Sequence, residues 1–100
     1  MIRNVVVGRL REPDDPQAQA MLKDGLAAIA ALTFPGLLAM HVGAALALRP
    51  GGWSFAITND WTDVDSYRVY DTDDEHNRLR REVFAVICED IARAQFEIPA

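Results

Sequence analysis

The sequence is short of the usual devices that stabilise a small fold. It has one cysteine, Cys88, and two histidines, His41 and His76, in 100 residues. A single cysteine excludes an intrachain disulfide and any cysteine-based zinc site. Two histidines add little, so no structural metal is expected. Basic residues are also scarce, ten against fifteen acidic ones for a net charge of -5, which leaves no broad footprint for nucleic acid. Long apolar runs are missing. The richest stretch, Gly25 to Leu48, is interrupted by Pro35, Gly36 and His41, so no membrane span is expected. Met1-Ile2-Arg3-Asn4-Val5 has no signal-peptide h-region, and the expected location is the cytoplasm.

The chain has the length of one domain, residues 1–100, and half of its residues are hydrophobic. A domain of this size buries only roughly two-thirds of its unfolded surface. With neither disulfide nor metal, a partner chain is the remaining supplement.

Local patterns give the element order. Ile2 to Leu10 is rich in β-branched residues and reads as a strand, with Asn4, Val6, Gly8 and Leu10 on one face and Arg3, Val5, Val7 and Arg9 on the other. Asp15 and Pro16 form a helix start, as N-cap and first helical residue. Ala18, Met21, Leu22, Leu26, Ile29 and Leu32 then recur at helical spacing over about 17 residues. Gly25 inside this helix implies a close neighbour, either the sheet or a ligand.

Phe34-Pro35-Gly36 ends the helix. Leu37 to Leu46 and Trp53 to Trp61 follow as strands around the turn Arg49-Pro50-Gly51-Gly52. On the second of these, Trp53, Phe55, Ile57, Asn59 and Trp61 are expected on one face. Thr62 or Asp63 caps a short helix with Val64, Tyr67 and Tyr70, which the acidic run Asp71 to Glu75 interrupts. A further helix carries His76, Leu79, Val83, Val86, Ile87 and Ile91, and Ala92 to Ile98 reads as the last strand. The cluster Arg78, Arg80 and Arg81 is expected to pair with Glu75, Glu82 and Glu89 on a solvated helix face.

The order βαββαβ predicts an α+β, ferredoxin-like fold: a four-stranded antiparallel sheet with its helices on one face. The first three strands nonetheless carry apolar residues on both faces. A lone chain would leave an apolar sheet face in water, which marks an interaction surface. Homodimerisation through that face follows as the expected partner.

Several short motifs in this order resemble one family. They are Met1-Ile2-Arg3-Asn4-Val5-Val6, then Pro35-Gly36 followed by Val42-Gly43, then Trp61-Thr62-Asp63-Val64-Asp65 with Tyr70 and His76, and finally Ala94-Gln95-Phe96-Glu97-Ile98. Together they resemble the Dabb family, the stress-responsive dimeric α/β-barrel domain, across essentially the whole chain. The resemblance implies a homodimer of ferredoxin-like subunits whose sheets meet as a barrel, with a ligand pocket between helices and sheet. Some members are cofactor-free enzymes, among them a plant polyketide cyclase with a Tyr-x-x-His-Pro-x-His motif. Tyr70 matches the tyrosine and His76 the last histidine, while Asp73 and Asp74 replace the first histidine and the proline. Asn4 stands where many members carry a histidine.

The resemblance makes Tyr70 and His76 the candidate catalytic pair, with Asn4, Val6, Gly8, Leu79 and Val83 lining the ligand site. His76 shares a helical stripe with Leu79 and Val83, so it faces inward, where a neutral imidazole can accept a proton. Tyr70 can donate a hydrogen bond to a carbonyl oxygen. The neighbouring carboxylates would raise the pKa of His76 and a helix N-terminus would lower it, so the sign of the shift stays open. His41 reads as a structural or dimer-contact residue, and the acidic cluster as helix capping. The ligand expected is a small apolar or aromatic carbonyl compound, with cyclase- or lyase-like acid/base chemistry and neither cofactor nor metal. Two alternatives remain: a non-catalytic stress-response or ligand-binding dimer, and a cofactor-free monooxygenase of the same superfamily.

Overall fold

The structure is a computed structural model and describes residues 1–99. Strand β1 (Ile2–Leu10) leads to helix α1 (Pro16–Ala30), then strands β2 (Leu37–Ala44) and β3 (Phe55–Trp61). Helices α2 (Val64–Asp71) and α3 (Asp74–Leu79) follow, and α3 runs on through a π-helical turn, Arg80–Phe84, and a last turn, Ala85–Ile87. Strand β4 (Cys88–Glu97) closes the chain. The sheet order is β2-β3-β1-β4 and all three pairings are antiparallel. This is the ferredoxin-like α+β arrangement, as an open four-stranded sheet.

The helix starts follow from capping chemistry. Asp15 accepts from the Gln17 N–H, with Pro16 next to it, so α1 begins where an N–H can be spared. Of the two possible caps for α2, Asp63 is the one used, accepting from Ser66 N at 2.8 Å. Asp73 caps α3 through His76 N at 2.9 Å. That bond fixes the orientation of the turn carrying His76.

The core lies between the helices and one face of the sheet. Leu22, Leu26 and Ile29 of α1 meet Phe55 and Ile57 of β3, with Leu10, Leu79, Phe84 and Ile87 around them. Gly25 admits a close neighbour, and that neighbour is the last helix: a Cβ at this position would lie 2.8 Å from Val83 and 3.2 Å from Phe84.

Three local expectations are corrected. Ile91 is a strand residue and not helical, because β4 begins at Cys88 and pairs with the full length of β1. Val86 is 56 % exposed rather than on the buried stripe. The π-helical turn explains it, since its wider repeat rotates the following residues away from a 3.6-residue stripe. Trp53 precedes β3 and does not share the face of Trp61. It lies on the open side of the sheet, where the Arg9 guanidinium stacks 4.3 Å from its ring centre.

The face away from the helices is uncovered. Register places Val5 beside Thr58 and Ala94, and Val7 beside Ala56 and Ala92. His41 stands opposite Thr58, and Phe96, opposite Arg3, is 50 % exposed. The main charge on this face is neutralised locally. Arg3 grips Asp60 with two hydrogen bonds of 2.8 and 2.9 Å, which hold the Asp60 carboxyl below the usual carboxylate range.

Candidate functional site

A cavity of about 340 Å³ opens between the helix layer and the sheet. Its floor is Asn4 and Val6 of β1 with Phe55 and Ile57 of β3. Its walls are Tyr67 and Tyr70 of α2 with His76, Asn77, Arg80, Arg81 and Phe84 of the helical segment that follows. The volume falls in the range of small-molecule sites.

Tyr70 and His76 stand together on the wall. Their rings stack with centroids 3.9 Å apart and planes 28° from parallel. Both are buried, at 3 % and 6 % exposure. The stacking results from the helix break at Thr72: α2 ends on Tyr70-Asp71, and the Asp73 cap turns α3 so that His76 comes back over the tyrosine.

Beneath the pair lies a polar network centred on Asn59. The Asn59 amide nitrogen is 3.5 Å from the Tyr70 hydroxyl, and its carbonyl accepts from Trp61 Nε1 at 2.6 Å and from Asn4 Nδ2 at 3.2 Å. Gln95 Nε2 in turn donates to Asn4 Oδ1 at 2.9 Å. Asn4 and Asn59 are directly opposite in the β1–β3 register and almost fully buried, at 2 % and 1 %. Buried amides survive in a core only when satisfied, and this chain of bonds satisfies them.

The electrostatics separate the two members of the pair. Burial pushes the Tyr70 hydroxyl up to about 12, against a smaller opposing effect of its bond with Asn59. Tyr70 is therefore a protonated donor at neutral pH. His76 is shifted below the ordinary histidine value, first by burial and then by the positive charge of Arg80. The Tyr70 backbone carbonyl, Asp71 and Asp73 act in the other direction and are outweighed. His76 Nδ1 is sealed from solvent and makes no hydrogen bond; the Tyr70 carbonyl favours a proton on the ring without reaching bonding geometry.

This shift has a consequence for stability. A histidine whose folded pKa lies below its unfolded value binds fewer protons folded than unfolded between the two values, so stability falls with decreasing pH in that window. The protein should lose stability from about pH 6.5 downward. A His76→Gln variant should be flat over that stretch in urea denaturation at pH 5 to 7. Parallel curves for the two proteins would contradict the burial of a neutral His76. The carboxylates held low, Asp60, Asp63 and Glu75, act only at more acidic pH.

The expected site residues divide into two groups. Asn4, Val6, Tyr70 and His76 line the cavity together. Gly8, Leu79 and Val83 do not. The Phe55 ring covers Gly8, Leu79 is 3 % exposed within the core, and Val83 packs against Gly25. Asn59, Tyr67, Asp71, Asn77, Arg80 and Arg93 were not among the expected site residues. Asn59 carried a signal, as the one amide within the apolar stripe Phe55, Ile57, Trp61. Arg80 pairs with Asp71 at 3.7 Å and bonds Asn77 at 3.0 Å, while Glu75 and Glu82 both pair with Arg78.

No family model and no curated protein matches the sequence. Solved structures do. A dimeric ferredoxin-like protein of unknown function from Thermobifida fusca superposes with a TM-score of 0.82 at 26 % identity, over 97 % of this chain and 90 % of that one. A Dabb family protein with a ferredoxin-like fold from Mesorhizobium loti gives 0.78 at 17 % identity, over 99 % and 97 %. A hydroxynitrile lyase from Passiflora edulis gives 0.76 at 16 % identity, over 98 % and 93 %. These likenesses show that the chain has the ferredoxin-like fold, which it shares with a Dabb family protein.

Proposed function

We propose that this chain forms a homodimer through its open sheet face, and that each subunit binds a small apolar or aromatic carbonyl compound in the cavity for acid/base chemistry without a cofactor. The observation that carries the chemistry is the buried, stacked Tyr70–His76 pair on the wall of an apolar cavity. A neutral imidazole and a neutral phenol complement a ketone. His76 Nε2 takes a proton from the carbon next to the carbonyl. The electron pair of that C–H bond becomes the C=C bond of an enolate, the π pair of the C=O bond moves onto oxygen, and the Tyr70 hydroxyl donates a hydrogen bond to that enolate oxygen. The proton then returns from His76 to carbon, or the enolate carbon attacks a second carbonyl of the ligand, whose π bond opens onto oxygen and whose alkoxide takes the proton from His76, as in an aldol-type cyclase. The hydroxynitrile lyase among the similar structures shows that the fold can carry a lyase.

Dimerisation is supported by the apolar face of Val5, Val7, Ala56, Ala92, Ala94 and Phe96, and by the dimeric Thermobifida fusca structure. Light scattering at micromolar concentration should give about twice the 11.1 kDa of one chain. A folded monomer would remove the dimer from the account. For the cavity, phenylacetone titrated into labelled protein should shift the resonances of Asn4, Tyr70 and His76. Val6→Phe, which fills the floor, should abolish those shifts while the fold persists. Shifts confined to other regions would place the ligand elsewhere.

A further inference from the structure

We infer that the ligand carries a carboxylate, held at the cavity mouth by Arg81 and Arg93. This inference rests on the proposed carbonyl-binding cavity and adds a substrate class to it. The chain as a whole is acidic, with a net charge of -5, yet the cavity lining has the opposite balance. Three arginines, Arg80, Arg81 and Arg93, line it against one carboxylate, Asp71.

That carboxylate is already answered. Arg80 lies 3.7 Å from Asp71 and donates to Asn77. Among the described residues Arg81 and Arg93 have no ion-pair partner, although the neighbouring Arg78 is paired twice. The two come from opposite sides of the cavity. Arg81 is on the π-helical turn, and Arg93 is on β4 directly across from Val6 of the floor. A neutral apolar ligand needs neither. A ligand whose carbonyl lies against Tyr70 and His76 and whose anionic end points outward meets both guanidiniums, which suit a planar carboxylate. The volume, about 340 Å³, accommodates an aryl ketone with a short acid tail.

Matched probes separate this inference from the reading beneath it. Calorimetric titration should compare 4-oxo-4-phenylbutanoate with its methyl ester. The acid should bind on the order of tenfold more tightly, with the gap narrowing as salt is raised. Arg81 and Arg93 are both exposed, so a double Arg81→Gln, Arg93→Gln variant should fold, and it should bring the acid's affinity down to that of the ester. Equal binding of acid and ester to the unmodified protein overturns the carboxylate and leaves the carbonyl cavity standing. A gap that survives the double substitution also overturns it. If neither probe binds, the cavity reading fails and this inference with it.

Discussion

A Trp61→Ala protein is expected to lose about 3–5 kcal/mol of stability, the usual cost of emptying a fully buried aromatic site. Trp61 is wholly excluded from solvent. Its ring contacts three others, with centroids 5.1 Å from Tyr70, 6.0 Å from Phe34 and 6.5 Å from Tyr67. Its Nε1 also donates to Asn59 at 2.6 Å, so truncation removes both the packing and one bond of the amide network under the site. At about 4–8 °C per kcal/mol for a domain of this size, the midpoint of thermal unfolding should drop by roughly 15 °C or more. Trp61→Phe keeps most of the ring volume and loses the donor with the edge of the indole that carries it, so it should cost about 1–2 kcal/mol. The two variants separate packing from hydrogen bonding. Equal losses in both would mean that the bond to Asn59, and not the aromatic cluster, holds this end of the sheet. The same truncation should loosen Tyr70, since Trp61 and Asn59 are two of the supports beneath it.

The strands and caps were legible in the sequence because they depend on neighbours a few residues apart. Asp15-Pro16 announces α1, Thr62-Asp63 announces α2 with the choice of cap left to the structure, and the alternation from Phe55 to Trp61 fixes which face of β3 is buried. The apolar outer face was legible for the same reason. The last helix was not. Apolar residues at 83, 86, 87 and 91 fit a helical repeat, but the π-helical turn breaks that repeat and β1 draws Cys88 to Glu97 into its ladder. Trp53 was misplaced because alternation extends only as far as the strand, and β3 starts two residues later.

The site was half legible. His76 could be expected to face inward from its stripe with Leu79, and Tyr70 was found through the family motif. The direction of the His76 shift could not be read, because it depends on how deeply the ring is buried and on the distance to Arg80. Asn59 and Arg93 reach the site through sheet register, opposite Asn4 and Val6 respectively, and register is a long-range property. Gly8 and Leu79 had the right face but lie too deep in the packing to reach the cavity, and the half-buried Val83 packs against Gly25 of α1 instead.

The central claim is that Tyr70 and His76 form an acid/base pair in a ligand cavity, and proton exchange at carbon tests it without knowledge of the natural substrate. In deuterated buffer near neutral pH, the benzylic protons of phenylacetone exchange slowly by themselves, and their loss is followed by NMR. His76 is held neutral by burial, so it is in the basic form under these conditions, while Tyr70 remains protonated. General base catalysis of this kind contributes about 10²–10⁴-fold, so His76→Ala should lower the protein-dependent exchange rate by at least about 100-fold. Tyr70→Phe keeps the stacked ring but removes the donor to the enolate oxygen, and about a tenfold or greater loss is expected from it. The unmodified protein is expected to accelerate the exchange, and both substitutions, in folded protein, are expected to reduce the acceleration, His76→Ala the more strongly. Exchange no faster than in buffer alone, or equally fast with His76→Ala, would contradict it.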